Sequence, residues 1–209
     1  MPTKTFFNLP EAKQKMLLKA AEKEFSRVLY RDASINKIVQ NANISRGSFY
    51  MYFENKEDLY LYIIKRQHTC FNFKLIDNIK KGNGDFLIAI EKLYEECLLF
   101  LKNSDQKDIL KNMILNMKEE TNSNLIEKAR PDLFGHFEKE LLDIINFDLY
   151  RFKTSLEIID AFHLSMMVMI NAIISNLLNI DGDISKQKET FYRRLNIIKY
   201  GLYQERIDN

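Results

Sequence analysis

The chain has 209 residues, 46% of them hydrophobic and 29% charged, with a formal net charge of +2. That supplies a sizeable core and argues for a soluble protein, while three prolines and six glycines leave too few breaks for an all-β fold. Two cysteines, Cys70 and Cys97, cannot form a disulfide framework and fit a reduced, cytoplasmic setting; the opening MPTKTFFNLPEAKQK holds no apolar run of signal-peptide length.

The charge is unevenly placed. Residues 1–56 carry ten Lys/Arg against five Asp/Glu, a net of +5, and residues 57–209 carry a net of −3. A basic end on a slightly acidic body suits contact with a polyanion.

In chain order, Leu9, Ala12, Met16, Leu17, Ala20, Ala21, Phe25, Val28 and Leu29 recur at spacings of three and four and predict a helix, with Pro10 and Glu11 in its first turn. Tyr30–Ala33 is a connection. Ser34 can cap a second, short helix bearing Ile35, Ile38, Val39 and Ala42. Asn43 tolerates the left-handed backbone of a tight turn, Ile44 pins it, and Ser45 is the natural cap of a third helix, Arg46–Tyr52. Two short helices around a tight turn predict a helix-turn-helix, whose second helix enters a DNA major groove.

That reading assigns chemistry. Ser45, Gly47 and Ser48 keep the leading end of the third helix small, so that amides and hydroxyls approach phosphates and base edges. Arg46 can meet a guanine edge bidentately, and Ser48 is the second candidate for base reading. Ser34, Tyr50 and Lys56 are expected on the phosphate backbone, while Phe49 and Phe53 anchor the helix from behind. Asn55-Lys56-Glu57-Asp58 starts a fourth helix with a cap and first-turn acids.

Residues 13–62 resemble the DNA-binding domain of the TetR family of bacterial transcriptional repressors. The resemblance rests on Ala20-Ala21, Phe25, Ser34, Ile38-Val39, Ala42, Ile44-Ser45, Gly47, Phe49-Tyr50, Tyr52-Phe53, Lys56-Glu57 and Leu59 in register. Three positions depart from the family pattern: Asn43 replaces the turn glycine, Leu29 stands where a glycine is usual after the first helix, and Met51 replaces a histidine. The resemblance implies an all-α protein. A three-helix helix-turn-helix domain (1–55) would join an antiparallel helical ligand-binding and dimerisation domain (56–209), about nine helices altogether.

The later sequence reads compatibly. Helices are predicted over Lys56–Lys81, ended by Gly82-Asn83-Gly84, then Asp85–Lys102, Asp105–Met117, Asn122–Phe147, Thr154–Ile180 and Ile184–Arg206. The apolar stretch 161–180 contains His163, Ser165, Asn171, Ser175, Asn176 and Asn179, too many polar groups for a spanning helix, and predicts one covered by its own core or a partner. Met167, Ile170, Ile174, Leu177 and Leu178, with Phe191, Leu195, Ile198 and Leu202, are expected to form the seam of a homodimer, through the two last long helices that the family uses.

Tyr94, Met113, Met117, Phe134, Phe137, Phe162, His163 and Met166 are candidates for lining the pocket that the family implies, although at helical spacing the same residues suit plain core. No Gly-rich phosphate loop, His-Glu-x-x-His or clustered Cys-x-x-Cys occurs, and His68 and Cys70 lack i, i+4 spacing. His136 with Glu140 has that spacing but reads as a surface pair. The expectation is therefore no enzyme, no cofactor, no metal and no membrane. The partners would be a double-stranded DNA operator, a second copy, and a small apolar or amphipathic effector that releases a palindromic operator. The alternative is a helical DNA-binding or protein-interaction module without a small-molecule inducer.

Overall fold

Apolar residues at helical spacing close the first seventy residues around one core. The computed structural model describes residues 1–102, 107, 111, 137–152, 154–178 and 183–202, with nine α-helices and no β-strand among them. These are α1 (Lys4–Phe7), α2 (Glu11–Arg27), α3 (Ile35–Asn41), α4 (Arg46–Tyr52), α5 (Lys56–Lys81), α6 (Phe86–Leu101), α7 (Phe137–Ile144), α8 (Ser155–Leu178) and α9 (Ile184–Leu202). The predicted helix Asp105–Met117 and most of Asn122–Phe147 lie outside the described residues; the end of the latter that is described, α7, stops at Ile144.

The chain divides into two compact units, the first ending its leading segment at Thr69 and the second starting at Cys70. The expected division after residue 55 does not coincide with this. Leu59, Tyr60 and Ile63 of α5 are buried in the same cluster as Leu17, Ala21, Phe25, Ile38, Phe49 and Phe53, so the start of α5 belongs to the first core. α2 ends as Val28 turns extended at φ −142°, and Leu29 follows at φ −62°. Because neither enters left-handed space, the glycine usual there is not required. A single 3₁₀ turn, Tyr30–Asp32, then leads to α3, with Tyr30 against the rings of Phe25 and Tyr60.

In the second unit α8 packs against α6 and α9, around Phe86, Ile90, Leu93, Tyr94, Ile158, Phe162, Met169, Phe191 and Leu195. Asp85 caps α6 by accepting from Leu87 N (2.9 Å) and Ile88 N (3.2 Å), and the Tyr150 hydroxyl donates to it at 3.3 Å. The predicted break at Gly82–Gly84 is real: Asn83 and Gly84 have φ of 53° and 84°, and a Cβ on Gly84 would lie 2.4 Å from Asn146 N. α8 is long and apolar enough by composition to cross a membrane. It is nevertheless a packed helix, with Ser165 fully buried and donating to the Ala161 carbonyl at 2.8 Å.

Candidate nucleic-acid interface

The turn between α3 and α4 is built from local chemistry. Asn43 stands at φ 50°, and the Ile44 amide donates back to the Val39 carbonyl at 3.0 Å. Ser45 is the N-cap of α4, its Oγ accepting from the Ser48 amide at 3.0 Å. Phe49 and Phe53 are fully buried and hold the helix from below. Ser34 sits at the N-cap position of α3, but its side chain makes no capping bond; its amide donates to Glu24 instead.

The opposite face of α4 is open. Arg46 and Gly47 are exposed, and so are Tyr50 and Met51. A Cβ on Gly47 would meet only Ser45 Oγ, at 3.7 Å, so nothing inside the protein demands glycine there. Glycine within a helix costs about 1 kcal/mol relative to alanine, and no contact inside the protein offsets that cost here.

Arg46 is braced rather than loose: Nη1 donates to Asn36 Oδ1 at 3.0 Å and Nη2 to the Tyr50 hydroxyl at 3.3 Å. The Ser48 hydroxyl lies 2.8 Å from that of Ser45, so the two hydroxyls are paired. Arg46 is exposed and keeps guanidinium donors beyond these two bonds, whereas Ser48 is half-buried.

Lys56, expected on the phosphate backbone, makes its contacts within the protein. Its Nζ donates to the carbonyls of Tyr30 (2.7 Å), Ala33 (2.9 Å) and Arg31 (3.0 Å) and lies 4.7 Å from the centre of the Tyr30 ring. An ammonium has three donors, and three carbonyls of the protein take them.

Other contributors went unnoticed in the sequence. Asn36 is one. Glu24, buried on the core side of α2, accepts from Arg27 Nη2 (2.7 Å) and Nε (2.9 Å) and from the Ser34 amide (3.0 Å); the Arg27 guanidinium holds its carboxyl below the ordinary carboxylate range. The signal was a carboxylate set within the apolar stripe Leu17–Ala20–Ala21–Phe25. At the other end of α4, the Thr3 amide donates to the Tyr52 carbonyl (2.9 Å), its hydroxyl donates to the Met51 carbonyl (2.6 Å), and fully buried Phe6 packs on Phe53.

Of the expected pocket residues, Met113, Met117 and Phe134 lie outside the described residues. Tyr94 and Phe162 are core: Tyr94 stacks on Phe191 with centroids 3.8 Å apart, and Phe162 meets the rings of Phe86 and Phe137. His163 is exposed, 3.5 Å from Glu138, and Phe137 and Met166 are half-buried. The expected seam also divides. Met167 and Ile170 are exposed, Ile174, Leu178 and Ile198 half-buried, whereas Leu177, Phe191 and Leu195 are enclosed by their own protomer. The Leu202 side chain lies outside the described residues. Among the described residues no cluster of three His, Cys, Asp or Glu is placed to hold a metal ion.

A short helix, capped by Ser45 and buried on one face, following a second helix through a left-handed turn, defines a helix-turn-helix DNA-binding transcriptional regulator. Residues 17–63 match the family described as bacterial regulatory proteins, tetR family, and residues 85–202, more than half of the chain, match the tetracyclin repressor-like C-terminal domain. The protein belongs to the TetR family, whose members are DNA-binding transcription factors and not enzymes.

Among relatives, the uncharacterized HTH-type transcriptional regulator YdgC of Bacillus subtilis (strain 168) is 30% identical over 144 residues, covering 61% of this chain and 70% of its own length. A second B. subtilis regulator, YuxN, is 33% identical over 90 residues, 41% of this chain but only 31% of its own. Two solved structures share the fold. The SmeT–triclosan complex has a TM-score of 0.68 at 14% identity over 95% of both chains. A TetR-family regulator from Mesorhizobium loti MAFF303099 has a TM-score of 0.65 at 13% identity, over 92% of this chain and 98% of its own.

Proposed function

We propose that this regulator is a cytoplasmic homodimeric repressor that releases a palindromic operator when a small apolar or amphipathic molecule binds its helical domain. The carrying observation is the outward face of α8, where Leu164, Met167 and Ile170 are exposed together while Ile158, Phe162, Ser165 and Met169 face the core. Exposed apolar residues in one stripe mark a partner surface, and a second copy supplies the second recognition helix that a palindrome needs. Half-sites then fall about 34 Å apart or at multiples of that distance.

Arg46 and Ser48 are read as the base contacts, Tyr50 and Ser34 as backbone contacts, and Ser45 and Gly47 as the small leading edge. Effector control follows if the ligand prefers a state with a different spacing of the two α4 helices, since a ligand with equal affinity for both states shifts nothing. That the fold-sharing SmeT was solved with triclosan supports a small apolar effector class. The test is footprinting on DNA flanking the protein's own gene, followed by anisotropy of the protected duplex against a panel of apolar and amphipathic compounds including triclosan. Release by a member of the panel at saturable concentration bears the reading out. Protection that no compound alters favours the inducer-free alternative.

A further inference from the structure

We propose that Lys56 is a positioning residue for operator recognition: it fixes the connection before α3 to the first turn of α5, and thereby sets where the helix-turn-helix stands, without touching DNA. Lys56 opens α5, and the carbonyls it holds belong to residues 23 to 26 positions earlier in the chain. These carbonyls, of Tyr30, Arg31 and Ala33, converge on one ammonium at 2.7–3.0 Å, and the Tyr30 ring packs at a tilt on Tyr60 of α5, centroids 4.7 Å apart. The connection is gripped from its other side as well, since Glu24 of α2 takes the Ser34 amide. α3 begins one residue later, at Ile35, and passes through the Asn43 turn directly into α4. A shift of the connection would therefore carry both helices of the motif. A compact ammonium suits three convergent carbonyls because its three donors point along three directions, whereas a phosphate contact would strip it of at least one of them.

Positioning and phosphate contact make opposite predictions. Counting charges against DNA, a lost phosphate contact lowers the log–log salt slope by about 0.9 and weakens all sequences alike. A lost positioning residue leaves the charge footprint and blurs only the fit to the correct sequence. The probes are a duplex selected by the wild-type full-length protein from a randomised pool and a random-sequence duplex of equal length, titrated at several salt concentrations. For Lys56→Met, affinity for the selected duplex is expected to fall about tenfold. Affinity for the random duplex and the salt slope stay as in wild type, while amide hydrogen exchange accelerates across Ile35–Asn41. Equal weakening on both duplexes with the slope reduced by about 0.9 overturns the proposal, as does wild-type behaviour on both. Should Lys56→Met fail to fold, Lys56→Gln, neutral but still a donor, is read by the same criteria.

Discussion

Arg46 shows how much a single side chain decides. Its guanidinium is held by Asn36 and Tyr50 before any DNA arrives, so little rotamer freedom is lost on binding. Arg46→Ala is expected to weaken specific binding by about 1–3 kcal/mol and to relax preference at one base position. Asn36→Ala, which removes only the brace, should cost about 0.5–1.5 kcal/mol on the same duplex. Anisotropy with matched and mismatched duplexes checks both; if Arg46→Ala weakens every sequence equally, Arg46 holds a phosphate. Glu24 answers to pH. Its carboxyl is held low chiefly by Arg27, so its contribution to stability is present above the ordinary carboxylate range and is lost as pH falls through its lowered value. Glu24→Gln should lower stability at pH 7 by about 1–3 kcal/mol and flatten the acid side of the stability curve. Urea unfolding at pH 7 and pH 4 measures this, and an equal loss at both would contradict it.

At the scale of elements, what was legible was what is local. Asn43, Ser45 and the Phe49–Phe53 pair act on neighbours within a few residues, so the turn, the cap and the buried side of α4 could be read from spacing. What escaped reading was set by distant partners. Lys56 looks like a surface cation until the carbonyls of residues 30, 31 and 33 surround it, and Thr3 and Phe6 look like a tail until α4 and α5 receive them. Tyr94 and Phe162 had the composition of a pocket wall, yet Tyr94 stacks on Phe191 and Phe162 meets Phe86 edge-on within the core. Gly47 joins element to function. Gly47→Leu places its side chain in open space, so the melting temperature should not fall, while affinity for the selected duplex should drop at least about tenfold through steric exclusion from the groove. Wild-type binding by this variant would place the leading end of α4 outside the groove.

For the molecule as a whole, two copies are expected because one seven-residue helix makes few base contacts, whereas twofold pairing doubles them on one duplex. The α8 face also illustrates why the seam was only half legible: periodicity marks a helix as apolar all round but does not say which apolar side its own protomer takes. Leu177, Phe191 and Leu195 went inward, and Met167 and Ile170 stayed outside. The pair Met167→Glu and Ile170→Glu adds charges where the protomer leaves room. Sedimentation should show monomers with unchanged helical content and a loss of operator affinity; a dimer that persists would place the interface elsewhere.

The central claim is that α4 reads the major groove, twice, on one duplex. Methylation interference at guanine N7, a major-groove atom, tests it most directly on the footprinted DNA. The expected result is two symmetry-related clusters of interfering guanines about one helical turn or a multiple apart, each losing a guanine from the pattern in Arg46→Ala. Interference confined to the minor groove, or sequence-independent protection with no guanine pattern, would contradict it.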